Sequence, residues 1–195
     1  MLRYPDPELA DAAVALRPFT AGDVPALAAA ADDEILRFAY GGRLAADDER
    51  AAAAFIAEQL PALLEAGSAV MLGLFARADA SLLGAVSLSK LDFDTRTGEL
   101  GCWVAPGVRG RRVGERGCRL ICAWGFDVLG LHRIQAVTDV ENVRAERGLR
   151  SMRFVCEGTM RGVERRGEAF VDCRCWSLLA TDAAARELVR DEAAA

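Results

Sequence analysis

A loop rich in glycine and arginine, "GVRGRRVGERG" at residues 107–117, is the clearest candidate for chemistry in this sequence. It follows an apolar segment and precedes one with helical spacing. Such a loop presents unpaired backbone N–H groups and the positive end of a helix dipole, which suit a phosphate or pyrophosphate. Glycines let the backbone approach the anion, and arginines add charge-assisted contacts at the rim. The residues predicted to do so are Gly110, Gly114, Arg109, Arg111 and Arg112.

Two common nucleotide-binding signatures do not fit this loop. The sequence contains no Gly-Lys pair, which argues against the GxxxxGK[ST] phosphate loop, and the loop is not GxGxxG either. The predicted sheet also lacks the repeated strand–helix–strand units of dinucleotide-binding folds. We therefore expect an anion site of another kind.

A carboxylate precedes the loop in "TGELGCWVAP" (97–106). Strand alternation places Glu99 on the same face as Gly101 and Trp103. From these residues alone, a surface carboxylate on an exposed strand position is favoured over a general base.

The remaining reactive residue types favour structural roles. With no CxxC pair and a single histidine, His132, a zinc site is disfavoured, and the cysteines are interpreted as small buried hydrophobes. His132 is expected to cap or pack after the helix-ending Gly130. Three tryptophans are expected in the core, and Arg116 and Arg119 on a solvated helix face.

Composition limits the classes of partner. The 195 residues are 52% hydrophobic, which predicts one globular domain over residues 1–195. A net charge of -5 argues against nucleic acid and anionic membranes as partners. The sequence has neither an apolar run of membrane-spanning length nor a signal pattern, so a cytoplasmic location is expected.

Periodicity predicts the elements that position the loop and Glu99. The class is α+β, with a mostly antiparallel mixed sheet flanked by helices and one strand–turn–helix crossover. Strands are predicted at 13–20, 69–76, 82–94, 97–106 and 132–140, followed by a final hairpin whose charged loop is 159–168. Helices are predicted at 21–33, at 45–67 with Pro61 as a break or kink, at 112–129 and at 141–154. The tail beyond Thr181 is predicted to be helical or frayed.

These motifs resemble the GNAT superfamily of acyl-CoA-dependent N-acetyltransferases. Its phosphate-binding turn reads Gln or Arg, two residues, Gly, one residue, then Gly or Ala, a pattern that Arg109 to Gly114 follow except at Arg112, which stands at the middle glycine. The wider string "GELGCWVAPGVRGRRVGERG" is similar to the RimJ/RimL-like branch, as is "ENVRAERGLRSMRFVCEG" (141–158). The resemblance covers about residues 13–179, leaving 181–195 as a C-terminal tail.

The resemblance implies site roles. Acetyl-CoA is the expected co-substrate, with no metal. Its phosphates are held by Arg109, Gly110, Arg111, Arg112, Val113 and Gly114, and its pantetheine arm pairs with the strand at Cys102, Trp103 and Val104 while Asn142 helps to fix it. With the resemblance, Glu99 is favoured as the general base, directly or through a water.

Three positions depart from the family pattern. Arg112 and Arg153 replace glycines, and Ala145 replaces a serine that can hydrogen-bond the cofactor sulfur. Three functions therefore stay open. They are acetylation of a protein N-terminal α-amine, which is favoured, acetylation of a small amine such as an antibiotic or polyamine, and non-catalytic acyl-CoA binding. A homodimer is also left open.

Overall fold

Eight strands form one mixed sheet in the computed structural model, which describes residues 2–30 and 49–193, with side chains up to Leu188. The strands are β1 (Leu9–Ala10), β2 (Val14–Arg17), β3 (Val70–Ala76), β4 (Leu82–Asp92), β5 (Thr97–Val104), β6 (Arg133–Asp139), β7 (Val155–Arg166) and β8 (Ala169–Leu179). Their spatial order is β1-β2-β3-β4-β5-β6-β8-β7. Every neighbouring pair is antiparallel except β5 and β6, which are parallel.

Helices cover both faces of the sheet. They are α1 (Val24–Ala30), α2 (Glu49–Ala54), α3 (Leu60–Glu65), α4 (Val113–Asp127), α5 (Val143–Ser151) and α6 (Ala183–Ala193), with a π-helical segment, Phe55–Gln59, joining α2 to α3. α4 is the crossover between the parallel strands β5 and β6. None of the helices among the described residues is both long and apolar enough to cross a membrane.

Two hydrophobic cores lie on opposite faces of the sheet. The larger packs β2 to β6 against α4 and α6, with Ile121 and Cys122 of α4 fully buried. The smaller packs the other face against α1 and the segment from α2 to α3, and Trp103 of β5 belongs to it. Because successive side chains of a strand point to opposite faces, β5 contributes to both cores. This strand therefore lies at the centre of the fold.

The predicted class and most predicted elements are confirmed. The α4 helix ends where expected, with Gly130 at a φ of 65° beyond it. Pro61 is the second residue of α3, directly after the π-helical segment, and the irregularity lies where a break or kink was predicted. The predicted tail contains α6, whose Ala185 and Leu188 are buried in the larger core. The part of the 45–67 prediction before Glu49 lies outside the described residues.

Two predictions about the chain were wrong or incomplete. The expected charged loop at 159–168 is mostly strand, because β7 runs to Arg166 and only Gly167 and Glu168 connect it to β8. β7 is an edge strand exposed along almost all of its length, so charged residues on both faces are compatible with it. The two-residue strand β1 was missed because it is too short to show alternation.

Candidate active site

The strand β5 is paired on one side over its whole length and on the other side only at its beginning. With β4 it pairs from Thr97 to Val104, whereas with β6 it pairs only at Thr97, Gly98 and Glu99. Beyond Glu99 the two parallel strands diverge. Among the described strands, none pairs with this side of residues 100–104, so β5 has an open edge there.

The hydrogen-bond register decides which backbone groups face this open edge. The Ala105 N–H donates to Leu83 O at 2.8 Å, and antiparallel pairing alternates from that point. The backbone groups of Trp103 consequently point to its partner Ala85 on β4. Those of Cys102 and Val104 point away from β4, into the gap between β5 and β6. An extended ligand can therefore pair with β5 at these two residues.

The glycine–arginine loop joins this edge to the start of α4. Gly110 has a φ of 84° and Arg112 a φ of 61°, so the chain reverses tightly before Val113. The first backbone bond of the helix runs from Arg116 N–H to Arg112 O. The N–H groups of Val113, Gly114 and Glu115 precede it and have no intrahelical acceptor. The start of α4 is thus suited to an anion.

Gly114 lies against the strand rather than facing open space. A Cβ there would be 2.6 Å from Val104 Cγ2 and 3.2 Å from Cys102 Sγ. The missing side chain allows the start of α4 to approach the open edge of β5. The sequence predicts that this glycine lets the backbone approach the anion. The structure adds a second role, the close packing of α4 against β5.

The arginines of the loop and of α4 have distinct partners. Arg109 Nε donates to Val104 O at 2.9 Å, which ties the loop to the end of β5. Arg112 forms two hydrogen bonds with Glu115, at 3.0 and 2.9 Å, and this guanidinium is the main reason that the pKa of Glu115 is lowered. Arg111 is exposed.

Arg116 and Arg119 are solvent-exposed as expected, with 48% and 38% of their side chains accessible, but both also form ion pairs that were not predicted. Arg116 forms an ion pair with Asp11 at 2.6 Å, and Arg119 one with Glu115 at 3.4 Å. Arg119 also donates to Ser151 O. The Arg119–Glu115 pair is an i,i+4 pair within α4, whereas the contacts with Asp11 and Ser151 form because α4 packs beside β1 and the end of α5, which periodicity alone does not reveal.

Glu99 is the last β5 residue paired with β6, and it lies where the gap begins. Its side chain is only 17% exposed, and its Oε2 accepts from Lys90 Nζ at 2.9 Å and from Gln135 Nε2 at 3.1 Å. The alternative interpretation, a surface carboxylate on an exposed strand, does not fit this central position. Lys90 and Gln135 were not singled out in the sequence, although Gln135 lies in the predicted strand 132–140.

Asn142 lies beyond the carboxyl end of β6, across the gap from the carboxyl end of β5. Its Oδ1 accepts from the Ala145 N–H at 3.1 Å, so it caps the start of α5, a position at which asparagine is strongly preferred. The side-chain amide group, two donors, is not used by this cap. Ala145 has no hydroxyl, as the sequence states.

The residues expected to have structural roles are mostly buried. Trp103, Trp124 and Trp176 lie in the cores, which confirms the prediction. Cys118, Cys122 and Cys173 are buried as predicted, whereas Cys102 and Cys156 are exposed, which corrects it. His132 lies before β6, at the opposite end of the sheet from the loop, and its N–H donates to Arg96 O. No cluster of three metal-binding side chains occurs among the described residues.

Comparison with known proteins identifies the class. Residues 14–155 match the family described as "Acetyltransferase (GNAT) domain", well over half of the chain. The chain therefore belongs to the GNAT acetyltransferase family, and it is an acetyl-CoA-dependent N-acetyltransferase. No curated protein matches the sequence.

Solved structures of known acetyltransferases share the fold. A putative ribosomal-protein-serine acetyltransferase from Vibrio cholerae is 19% identical, with a TM-score of 0.74 over 91% of this chain and 99% of that chain. RimL, a ribosomal L7/L12 α-N-protein acetyltransferase in complex with coenzyme A, is 15% identical, with a TM-score of 0.78 over 88% and 97%. A spermidine N-acetyltransferase chimera from Vibrio cholerae and hSSAT is 18% identical, with a TM-score of 0.72 over 86% and 96%.

Proposed function

We propose that this enzyme transfers the acetyl group of acetyl-CoA to a primary amine, with the N-terminal α-amine of a protein or peptide as the favoured acceptor. The acceptor attacks directly in a ternary complex. The observation that carries this proposal is the open edge of β5, which runs from the start of α4 to the carboxylate of Glu99.

In this proposal, two parts of the site bind the two ends of the cofactor. The pantetheine arm pairs with the backbone of Cys102 and Val104, and the pyrophosphate lies at the free N–H groups of Val113 and Gly114. Trp103 holds the strand in place rather than the cofactor, since its side chain is 1% exposed and its backbone pairs with β4. The phosphate contacts proposed beside these N–H groups are Arg109, Gly110, Arg111 and Arg112. Asn142 reaches the arm from the far side of the gap.

The chemistry requires one base and accurate positioning. Holding both substrates in one gap removes much of the entropic barrier. Glu99 takes the proton from the attacking amine, directly or through a water, and a strand N–H polarises the thioester carbonyl. The thiol of the cofactor has a pKa of about 8.5, so the thiolate can leave without a dedicated acid. Ala145 is therefore compatible with turnover.

The acceptor is chosen on chemical grounds. A free α-amine has a pKa of about 7.7 to 8.0, against about 10.4 for lysine, so it is the easier nucleophile to deprotonate at neutral pH. The similarity in fold to RimL, which is named as an α-N-protein acetyltransferase, supports this choice. The sequence has two acidic segments, 31–34 and 45–50, which we expect to flank the acceptor groove; the first and most of the second lie outside the described residues.

Acetylation of a small amine is the second candidate, and it is favoured by the similarity in fold to a spermidine N-acetyltransferase chimera, with a TM-score of 0.72 against 0.78 for RimL. Non-catalytic binding is less favoured. Two of the departures from the family pattern that suggested it, at Arg112 and Arg153, keep the backbone conformation of the glycines that they replace. Arg112 and Arg153 adopt φ values of 61° and 66°, the left-handed conformation that a glycine would take.

An acetyl-CoA turnover assay that reads released thiol tests the proposal. The acceptors are peptides with free N-termini, peptides with blocked termini and internal lysines, polyamines and aminoglycosides. We expect turnover on free N-termini, and much less with Glu99→Gln. Turnover confined to small amines would select the second candidate. Tight acetyl-CoA binding by calorimetry with no turnover on any acceptor would identify a non-catalytic binder.

A further inference from the structure

The single lysine of the chain contacts the carboxylate of Glu99, the proposed catalytic base. Twenty-four residues are Lys or Arg, and only Lys90 is a lysine. Its Nζ is 2.8 Å from Glu99 Oε1 and 2.9 Å from Oε2. This primary amine is therefore within hydrogen-bond distance of the carboxylate that is to deprotonate a primary amine.

A local irregularity of β4 brings Lys90 to this position. The pairing of β4 with β5 shifts register between Ser89 and Asp92, and Lys90 has a φ of 49°. Regular alternation would place Lys90 on the opposite face from Ser89, the residue that pairs with Glu99. The chain thus adopts an uncommon conformation for a non-glycine residue at the point where its amine meets Glu99.

We propose that Lys90 is a self-acetylation site, modified in cis by acetyl-CoA bound along β5. This inference rests on the proposed function of Glu99 and of the open edge. Glu99 accepts one proton from the Lys90 ammonium, and the freed Nζ lone pair attacks the thioester carbonyl carbon. The C–N bond forms and the C–S bond breaks; the thiolate takes the second amine proton, and Glu99 returns the first proton to solvent.

The exposure of Lys90 suits it to this role. Its side chain is 70% exposed, and ion pairs of such residues contribute little to stability, so Nζ can leave Glu99 and reach a reacting atom. Because the amine is tethered beside the base, the reaction is unimolecular, and proximity compensates for the high pKa of a lysine. The product is a neutral amide, which removes the cation facing Glu99 and leaves Gln135 as its other partner.

The inference is tested by incubating the full chain with acetyl-CoA and no acceptor, then measuring intact mass and mapping peptides. Only Lys90 and the N-terminal amine can form stable amides, and peptide mapping distinguishes these two sites. We expect one acetyl group at Lys90, formed with a first-order rate constant that does not depend on protein concentration. Glu99→Gln should slow it by at least about 10²-fold. Lys90→Arg keeps a cation beside Glu99 and should show no acetylation at this position.

Four outcomes would overturn it: an unmodified Lys90, a first-order rate constant that rises in proportion to protein concentration, a rate constant equal to that of the heat-unfolded chain, or a rate constant unchanged in folded Glu99→Gln. Acetyl-CoA calorimetry and the acceptor assay separate this failure from that of the proposed function. If acceptors are turned over while Lys90 stays unmodified, the enzyme acts as proposed and Lys90 is only an ion-pair partner. If acetyl-CoA does not bind at all, the proposed function fails as well.

Discussion

Glu99 combines features that an isolated surface carboxylate does not have. It is largely buried, it lies at the point where β5 and β6 separate, and its Oε2 accepts hydrogen bonds from Lys90 and Gln135 while its Oε1 is in ion-pair contact with Lys90. The Lys90 ammonium and the Gln135 amide donor hold its carboxylate in one orientation, and the gap beside it admits a substrate. These properties fit a base that takes a proton from an amine.

Replacing Glu99 by Gln should lower the rate of acetyl transfer at neutral pH by roughly 10²-fold and leave acetyl-CoA affinity nearly unchanged. The loss should shrink at high pH, where the acceptor amine is already deprotonated. Steady-state kinetics across pH, with calorimetry for the cofactor, measure both. The matched control is Glu157→Gln, another strand carboxylate in an ion pair, which should keep the wild-type pH profile. Full activity of Glu99→Gln at every pH would make Glu99 structural.

Arg153 adopts a strained backbone conformation with a φ of 66°. The left-handed conformation costs an L-residue roughly 1–2 kcal/mol, and glycine avoids that cost. Arg153→Gly should therefore raise the free energy of unfolding by up to about 1 kcal/mol after the added freedom of the unfolded chain is subtracted. Arg153→Ala removes the same side chain but keeps the strain, so it should not stabilise. Urea unfolding of both variants decides, and equal effects would contradict the backbone explanation.

The contact between α4 and β5 depends on Gly114. An added Cβ would meet Val104 Cγ2 at 2.6 Å, so Gly114→Ala must move the start of the helix away from the strand. We expect a loss of about 1–3 kcal/mol in the free energy of unfolding, together with weaker acetyl-CoA binding. Gly148→Ala is the control, since a Cβ in the α5 helix meets nothing within 4 Å and alanine favours helix. If Gly114→Ala unfolds and binds acetyl-CoA like the wild type, the contact is not needed.

The junction of β2 and α1 is held by an ion pair that predicts a pH dependence. Two hydrogen bonds of 2.8 Å from Arg17 are the main cause that lowers the pKa of Asp23 from 3.8 to about 2. A depressed pKa contributes stability that is present above the ordinary value and is lost as the pH falls towards the folded value. Asp23→Asn should therefore cost about 2 kcal/mol at pH 7.

That cost should shrink as the pH is lowered from about 5 to about 2, because the wild-type carboxyl becomes protonated over this range. Urea unfolding at several pH values measures the difference between the two proteins. A difference that does not change with pH would show that Asp23 stabilises through its hydrogen bonds to Thr20 alone.

The sequence predicted the fold more fully than the site. Alternation and helical spacing located β3, β4, β5 and α4 closely, because buried elements of ordinary length have strong periodicity. They could not reveal that β5 and β6 diverge after Glu99, since divergence is a property of two strands distant in the chain. They also gave no sign of the irregularity that places Lys90 on Glu99, because a positive φ at lysine has no sequence signature.

The loop at 109–114 was predicted to be an anion site, but the contacts of its side chains were less predictable. Residue spacing alone does not predict that Arg112 pairs with Glu115 or that Arg109 donates to Val104 O. Both contacts depend on the exact course of the turn. The cofactor contacts of this loop consequently stay a prediction.

The whole account depends on acetyl-CoA lying along the open edge of β5, with its phosphates at the start of α4. Amide hydrogen exchange with and without acetyl-CoA tests this placement most directly, because the amides concerned have no strand or helix acceptor in the free protein. We predict slower exchange on binding at Cys102, Val104, Val113 and Gly114, and little change in β2 and β3. Saturable binding of acetyl-CoA that leaves these four amides unchanged and protects another part of the chain would contradict the account.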